Sequence, residues 1–447
     1  MWAAEAGDRA LADRYEPPAP GRIGAVERAI YEGIVGGERC GTAGFLRLWR
    51  NFAEVHRMEN LSCSPMSTMP IRSPRNEIWL APEMPEPERV TAVAETVLPD
   101  SRRRGAQQQI RTWPGYSPTP LIGLPSLAGR LGLSAIWCKD EGSRFGIGSF
   151  KALGGAYAVF EQLQTNKATQ AIACATEGNH GRAVAWAAQR FGVRCIIYLH
   201  AGVSAARESA IAGYGAEIRR VRGNYDDAVR LCAAESARNG WTVVSDTSWP
   251  GYEEIPRSVM AGYTVITREI AVQMKGHPSP THIFLQGGVG GLAAAVIADL
   301  AIDFPPDQTR YLIVEPAEAA CLIESLRAGR PSNARGNLTT VMAGLACGEP
   351  SPIALQIVSA GAAGAIAITD DLACRAVRLL AKGSAVDERI VSGPSGAAGL
   401  AGVIAAVRDP GIASAFALDR TSRILVISTE GDTDPAAYRR ILEVEDL

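Results

Sequence analysis

From residue 110 onward, short β-rich runs alternate with Ala-rich helical runs, and this alternation restricts the fold more than any other feature of the sequence. Examples are "AIWCKD" before "FKALGGAYAVFEQLQ", "QAIACAT" before "HGRAVAWAAQRFG", and "THIFLQ" before "GGLAAAVIADLAI". Apolar strands separated by helices of about ten to fifteen residues predict parallel sheets covered by helices on both faces. The 447-residue chain is too long for one such sheet. We therefore predict an α/β fold of two doubly wound domains with a cleft between them.

Composition excludes several classes of protein. The formal net charge of -2 gives no basic surface for nucleic acid. The nine cysteines are scattered and form no C-x-x-C pair, which favours reduced thiols and no structural zinc. We find neither a membrane-span-length apolar run nor a signal peptide, and so expect a cytoplasmic protein without a membrane partner. Residues 1–75, rich in Arg, Glu, Gly and Ser, are interpreted as a poorly ordered N-terminal extension.

The stretch "DEGSRFGIGSFKALGGAYAV" places Lys151 at the mouth of a helix, directly after Phe150. Ligands of open α/β sheets bind beyond the carboxyl ends of the strands, where such loops lie. Partial burial lowers the pKa of a lysine and frees its lone pair for an imine with an aldehyde. If a phosphate cradle lies beside it, the aldehyde is pyridoxal 5'-phosphate (PLP). A solvated lysine at a helix start is the alternative interpretation.

The stretch "THIFLQGGVGGLAAAVIADL" reads as a strand, a glycine-dense turn and a helix. Backbone N–H groups of such a turn converge on an anion, and the helix N-terminus adds partial positive charge. The candidate phosphate ligands are Gly287, Gly288, Val289, Gly290 and Gly291. The same residues satisfy G-x-G-x-x-A, and Glu315 ends the next strand as a ribose-binding acid would. A NAD-linked oxidoreductase therefore stays open as an alternative at this point.

Three further strand ends carry polar residues. In "CATEGNHGRAVAWAAQ" the Asn179 amide and the loop N–H groups are typical of a carboxylate-binding loop, although an Asn N-cap with flanking glycines would look the same. The candidate residues there are Thr176, Glu177, Gly178, Asn179 and His180. Asp246 ends the strand of "VVSDTSW", and Ser428 ends the strand of "RILVISTEGDTDP". We interpret the carboxylates after Ser428 as a capped turn rather than a metal site.

The motifs "SFKALGGAYA", "EGNHGRAVAWAAQ", "NYDDAVR", "QGGVGG", "MAGLACGEPSP" and "ISTEGDTD" together resemble the diaminopropionate ammonia-lyases. These belong to the tryptophan-synthase-β-like PLP enzymes, or fold type II. The resemblance runs from about residue 80 to about residue 440. It implies a homodimer with PLP in an interdomain cleft. We place a large PLP-binding domain at 76–151 and 267–447 and a small α/β domain at 152–266.

The resemblance also implies roles for individual residues. Lys151 is expected to be the Schiff-base lysine, with Phe150 packing near the cofactor ring. Asn179 is expected to contact the phenolic oxygen, the 287–291 turn the phosphate, and Ser428 the pyridine nitrogen. Thr176, Gly178 and His180 are the candidate substrate-binding residues.

The reaction implied is α,β-elimination of 2,3-diaminopropionate to pyruvate and two ammonia, with Asp246 and Glu177 as acid–base residues for the L- and D-isomer. Two positions depart from the family pattern: Glu177 replaces the Asp of "TDGNH", and Pro394 stands where "SGESGA" is expected. The Glu177 carboxylate reaches one methylene further than the Asp it replaces. A displacement of a catalytic group by about 1 Å can cost on the order of 10²-fold in rate. We therefore expect weaker activity on the D-isomer and a preference for the L-isomer. The alternatives are a serine- or threonine-type dehydratase, another PLP β-eliminating lyase, and a non-catalytic binder of small molecules.

Overall fold

The structure is a computed structural model that describes residues 76–176, 178–223 and 225–444. The predicted N-terminal extension at 1–75 and the candidate residue Glu177 lie outside the described residues. In the described part, the strands are β1 (Ile78–Leu80), β2 (Leu121–Gly123), β3 (Ala135–Asp140), β4 (Ala171–Thr176), β5 (Arg194–His200), β6 (Glu217–Val221), β7 (Thr242–Val243), β8 (His282–Gln286), β9 (Arg310–Pro316), β10 (Ala362–Ile368) and β11 (Arg423–Ser428).

These strands form two separate sheets. The seven-stranded sheet has the order β1-β10-β9-β8-β11-β3-β2, and the four-stranded sheet has the order β6-β5-β4-β7. The strands of the smaller sheet and the five central strands of the larger sheet run parallel, while the edge strands β1 and β2 are antiparallel to their neighbours. This topology confirms the predicted α/β fold. The strands of the smaller sheet fall between residues 152 and 266, although the domain boundaries themselves stay a prediction.

Helices connect the parallel strands and cover both sheets. The described helices are α1 (Pro87–Val97), α2 (Asp100–Arg111), α3 (Pro125–Arg130), α4 (Lys151–Thr165), α5 (Asn179–Phe191), α6 (Ala205–Ala212), α7 (Tyr225–Asn239), α8 (Glu254–Gln273), α9 (Gly291–Leu300), α10 (Cys321–Ala328), α11 (Pro352–Gly361), α12 (Asp370–Lys382), α13 (Pro394–Arg408), α14 (Pro410–Ala415) and α15 (Pro435–Leu442). None of them is both long and apolar enough to cross a membrane.

One of the apolar clusters joins the two sheets. Side chains of the smaller sheet, such as Ile172, and of the larger sheet, such as Ile283, join through Leu153 of α4 and Val259 of α8. Helices α4 and α8 pack so closely at Gly154 that a side chain there would collide with Tyr263 and with the backbone of α8. Lys151 therefore starts a helix whose position is set by backbone packing.

A buried charge network holds the loop that leads to Lys151. The Arg144 guanidinium binds Glu141 at 2.7 Å and Glu269 at 2.8 Å, and its side chain is almost fully buried. Lys139 Nζ binds the same Glu269 carboxylate at 2.6 Å. Breaking a buried pair on one side costs about 3–5 kcal/mol, because it leaves an uncompensated charge. The network thus ties the loop after β3 firmly to α8.

Candidate active site

A cavity lies at the carboxyl ends of strands from both sheets, where the fold rule places ligands. We call it the strand-end cavity. Its wall includes Phe150, Lys151, Thr176, 178–180, Asp246, Tyr263, 286–289, Gly291, 343–347, Ser395, Thr429 and Glu430. The structure thus brings the candidate residues of four separate loops together. The candidates Gly290 and Ser428 are not lining residues themselves but are adjacent in sequence to residues that line the cavity.

Lys151 and Asp246 form an ion pair inside this cavity. The distance from Lys151 Nζ to Asp246 Oδ2 is 2.5 Å. The two side chains are 16% and 15% exposed, so both remain within reach of a small ligand. Lys151 is the first residue of α4, and Asp246 lies three residues after β7. The ion pair therefore links helix α4 to the end of the smaller sheet.

The Lys151 pKa differs from the sequence-based expectation. Burial acts to lower the pKa of Lys151, as expected, but the Asp246 carboxylate outweighs burial and holds the pKa above its ordinary value. Burial acts to raise the pKa of Asp246, and the Lys151 ammonium outweighs it and holds the pKa below its ordinary value. The expectation of a lowered Lys151 pKa is therefore wrong for the ion-paired state. Each charge stabilises the other.

His180 lies behind this ion pair. Its Nε2 is 3.1 Å from the Val244 carbonyl oxygen, and its Nδ1 is 3.9 Å from Asp246 Oδ2. Nδ1 is buried and has no hydrogen-bond partner among the described residues. Burial lowers the pKa of His180, which the Asp246 carboxylate partly offsets. The imidazole ties the start of α5 to the Val244 backbone, and substrate binding by His180 stays a prediction.

Two aromatic rings form one wall beside the amine. The ring centroids of Phe150 and Tyr263 are 4.7 Å apart, and Lys151 Nζ lies 5.2 Å and 5.8 Å from them. The Tyr263 hydroxyl is buried and has no hydrogen-bond partner among the described residues, and burial raises its pKa. The two ring planes are tilted by 48° and form an apolar wall, and Phe150 in this wall suits the expected packing near a cofactor ring.

The glycine-dense turn lies between β8 and α9. Gly288 has a φ of +63° and Gly290 a φ of +94°, conformations that residues with a Cβ rarely adopt. The backbone N–H groups of Gly288 and Val289 donate to no carbonyl or side chain among the described residues. Unpartnered N–H groups next to the N-terminus of α9 form an anion site. The turn therefore fits the predicted phosphate cradle.

The turn at Gly178 begins α5 without the Asn N-cap that was the alternative interpretation of this loop. Thr176 Oγ1 accepts hydrogen bonds from the backbone N–H groups of Gly178 and Gly181, each at 3.0 Å. The Thr176 hydroxyl therefore shapes the loop. The Asn179 side chain makes no cap and instead donates from Nδ2 to Glu430 Oε2. Its amide thus faces the cavity, as the expected contact with a phenolic oxygen requires.

Ser428 ends β11 and is buried. Its hydroxyl donates to Ser392 Oγ at 2.9 Å. Thr429 and Glu430 line the strand-end cavity directly after it. A contact between Ser428 and a pyridine nitrogen stays a prediction.

Comparison with known proteins supplies the family. A family model described as pyridoxal-phosphate dependent enzyme matches residues 112–430. Diaminopropionate ammonia-lyase of Escherichia coli strain K12 is 41% identical, over 76% of this chain and 91% of the relative. The Salmonella typhimurium enzyme of the same name is 38% identical, over 74% of this chain and 89% of the relative. The chain belongs to the diaminopropionate ammonia-lyase family.

A solved structure agrees with this assignment. The crystal structure of the E. coli diaminopropionate ammonia-lyase in complex with an aminoacrylate-PLP azomethine reaction intermediate has a TM-score of 0.75 to this chain. The two sequences are 37% identical, and the match covers 82% of this chain and 97% of that one. The cofactor of this family is PLP. The Lys151 amine, the unpartnered N–H groups of the 288–289 turn and the Phe150 ring fit its aldehyde, phosphate and ring.

Glu315 argues against the dinucleotide alternative. Its side chain is fully buried, and its two oxygens accept hydrogen bonds from Leu322 N–H at 3.0 Å and Ile323 N–H at 2.8 Å. It therefore caps α10 and cannot reach a ribose. Together with membership of a PLP-dependent family, this excludes the NAD-linked oxidoreductase.

A Gly288→Ala variant is expected to bind PLP on the order of 10- to 100-fold more weakly. A Cβ strains the turn at a φ of +63° and moves a backbone N–H away from the phosphate. One charge-assisted hydrogen bond contributes about 1.5–3 kcal/mol. Gly329→Ala is the matched control: Gly329 also has a φ of +63° but lies at the end of α10, with open space around it. Both variants should lose similar stability. Equilibrium dialysis of PLP measures the difference, and equal PLP affinity in the two variants would contradict the cradle.

Tyr263 and Glu430 are among the cavity residues that sequence reasoning missed. Tyr263 lies in the middle of α8, in an apolar run that reads as an ordinary core helix. A lone tyrosine among small residues in "MAGYTV" was the available signal. Glu430 lies within the quoted motif "ISTEGDTD", but it was interpreted only as part of a capped turn.

Proposed function

We propose that this protein catalyses the α,β-elimination of 2,3-diaminopropionate to pyruvate and two ammonia, with the L-isomer favoured. The observation that carries this proposal is the Lys151–Asp246 ion pair in the strand-end cavity, because it sets an amine and a carboxylate side by side next to an anion turn. The relatives that share the family and carry the name diaminopropionate ammonia-lyase support the substrate class.

Each part of the cofactor has candidate partners in this cavity. Lys151 would hold the aldehyde carbon, and the N–H groups of the 287–291 turn would hold the phosphate. Asn179 would donate to the phenolic oxygen, Phe150 would pack on the ring, and Ser428 would face the pyridine nitrogen. When bound, PLP supplies an electron sink for the negative charge that develops at the substrate Cα.

Asp246 is the base for the Cα proton of the L-isomer. While Lys151 is an ammonium, the pKa of Asp246 is held low and its oxygen is a weak base. Once Nζ carries no positive charge, the largest influence that opposes burial is gone, and the pKa of Asp246 rises toward the range useful near neutral pH. The loss of charge on Lys151 therefore activates Asp246. One water balances the reaction, because the released aminoacrylate hydrolyses to pyruvate and the second ammonia.

The D-isomer depends on Glu177, which lies outside the described residues. Pro394 takes the place of the Glu in the expected family motif "SGESGA". It starts α13 and faces a second cavity, which Glu430 shares, rather than the strand-end cavity. Glu430 Oε1 accepts a hydrogen bond from Ser395 N–H at 3.2 Å, so a carboxylate does lie at this helix start. The proposed preference for the L-isomer therefore depends on Glu177 rather than on Pro394.

The test adds each isomer of 2,3-diaminopropionate to the holoenzyme and follows pyruvate, with the cofactor absorbance recorded in the same cuvette. We expect pyruvate from the L-isomer and less from the D-isomer. No pyruvate from either isomer, with an intact cofactor spectrum, would overturn the proposal. L-serine and L-threonine in the same panel test the dehydratase alternative. The homodimer implied by the resemblance and the cytoplasmic location expected from the sequence remain part of this proposal.

A further inference from the structure

The proposed substrate carries a charge that serine and threonine lack. 2,3-Diaminopropionate has a second amino group, on Cβ, which is an ammonium at neutral pH. A buried ammonium needs a carboxylate partner. Among the described residues, the carboxylates that line the strand-end cavity are those of Asp246 and Glu430. Asp246 is paired with Lys151 at 2.5 Å in the resting site, and during turnover it is the proposed base for the Cα proton. Glu430 is therefore the carboxylate to consider for the β-amino group.

Neutral donors hold the Glu430 carboxylate in place. The residue is only 5% exposed. Oε1 accepts from Ser395 N–H at 3.2 Å, and Oε2 accepts from the Asn179 amide and from Thr433 Oγ1 at 3.3 Å. Ser395 belongs to the first turn of α13, where the helix dipole favours an anion. No described Lys, Arg or His lies within ion-pair distance of Glu430.

The backbone also fixes Glu430 relative to the reactive amine. Ser149, two residues before Lys151, forms an antiparallel bridge with Glu430, and Phe150 N–H donates to the Thr429 carbonyl at 3.0 Å. Glu430 is thus an anchored acid that lines the same cavity as Lys151, and no described cation pairs with it. A cationic group of the substrate would complete it.

We propose that Glu430 is the specificity-determining residue that binds the β-ammonium group of 2,3-diaminopropionate. This inference rests on the proposed function. It gives the second amine a partner and separates this substrate from serine, whose hydroxyl gains little from a carboxylate that already has three donors.

The test compares Glu430→Gln with wild type on two substrates, 2,3-diaminopropionate and β-chloro-L-alanine, whose leaving group carries no positive charge. We expect kcat/KM for 2,3-diaminopropionate to fall by about 10²-fold, mainly through KM, because an ammonium loses its charged partner. The kcat/KM for β-chloro-L-alanine and the spectral dissociation constant of L-alanine, which has no β-substituent, should change less than about threefold. Glu430→Asp keeps the charge and should recover part of the loss.

Asp432→Asn is the matched control, because Asp432 lies in the same loop but lines only the second cavity. It should leave both substrates unchanged. An equal loss on both substrates in Glu430→Gln, or weakened L-alanine binding, would overturn the inference and assign Glu430 a structural role. If Glu430→Gln does not fold, the Glu430→Asp variant gives the answer. A ratio of kcat/KM values for the two substrates that equals the wild-type ratio would also overturn the inference. A different result would refute the proposed function itself: wild-type protein makes pyruvate from β-chloro-L-alanine but none from 2,3-diaminopropionate.

Discussion

Lys151→Ala is expected to abolish turnover, with a loss of at least about 10³-fold, and to remove the absorbance band of covalently held PLP. The Lys151 amine is the cavity nitrogen placed against the aromatic wall and beside the 287–291 turn, and covalent catalysis has no substitute for such a group. The phosphate turn remains, so PLP should still bind, more weakly and with the spectrum of the free aldehyde. Absorbance and pyruvate formation measure the two effects separately.

The control for this variant is Lys167→Ala, since Lys167 is an exposed lysine at the end of the same helix region. It should keep the spectrum and the activity of wild type. A Lys151→Ala protein that kept the covalent cofactor band would show that another amine holds the aldehyde, and the proposed site would fail.

Asp246→Asn is expected to lower kcat for the L-isomer by about 10²- to 10⁴-fold, the usual range for loss of a general base. It should also shift the Lys151 pKa downward, because burial then acts on the amine without an opposing carboxylate. The rate at which apoenzyme takes up PLP should therefore reach its plateau at lower pH in the variant than in wild type. Stopped-flow absorbance across a pH series measures this shift.

The sign of the stability effect follows from the same ion pair. The folded-state pKa of Lys151 is raised, so its contribution is complete below about pH 10.4, the ordinary lysine value, and is lost above it. The folded-state pKa of Asp246 is lowered, so its contribution is present above about pH 3.9 and is lost as the pH falls. Asp246→Asn should thus destabilise the apoenzyme between these limits, whereas Asp307→Asn, at an exposed site, should not. Equal melting curves for wild type and Asp246→Asn would contradict the pairing.

Local sequence patterns predicted the strand-to-helix junctions well. Lys151, Gly288 and Asn179 each stand at such a junction, and the rule that parallel strands present their carboxyl ends together brings these loops to one cavity. The same rule placed Asp246 near the cavity but could not pair it with Lys151. That contact joins residues 95 positions apart and depends on how α4 packs against the smaller sheet.

The remaining features required the packed structure. Tyr263 reaches the cavity because α8 crosses α4 at Gly154, a contact between distant helices that periodicity does not encode. Glu430 accepts a hydrogen bond from Asn179, which does not cap its own helix, and this contact between distant residues leaves no local pattern in the sequence. The sign of the Lys151 pKa shift also depended on a neighbour, because burial alone acts in the opposite direction.

The resting ion pair bears on how the newly made chain meets the carbonyl compounds of a cell. An ammonium nitrogen has no lone pair, so Lys151, while Asp246 keeps it protonated, does not add to stray sugars or short-chain aldehydes that diffuse in. Molecules of this kind that carry no phosphate also gain nothing from the N–H groups of the Gly288 turn. The carboxylate thus makes the amine of the apoenzyme a poor target for glycation.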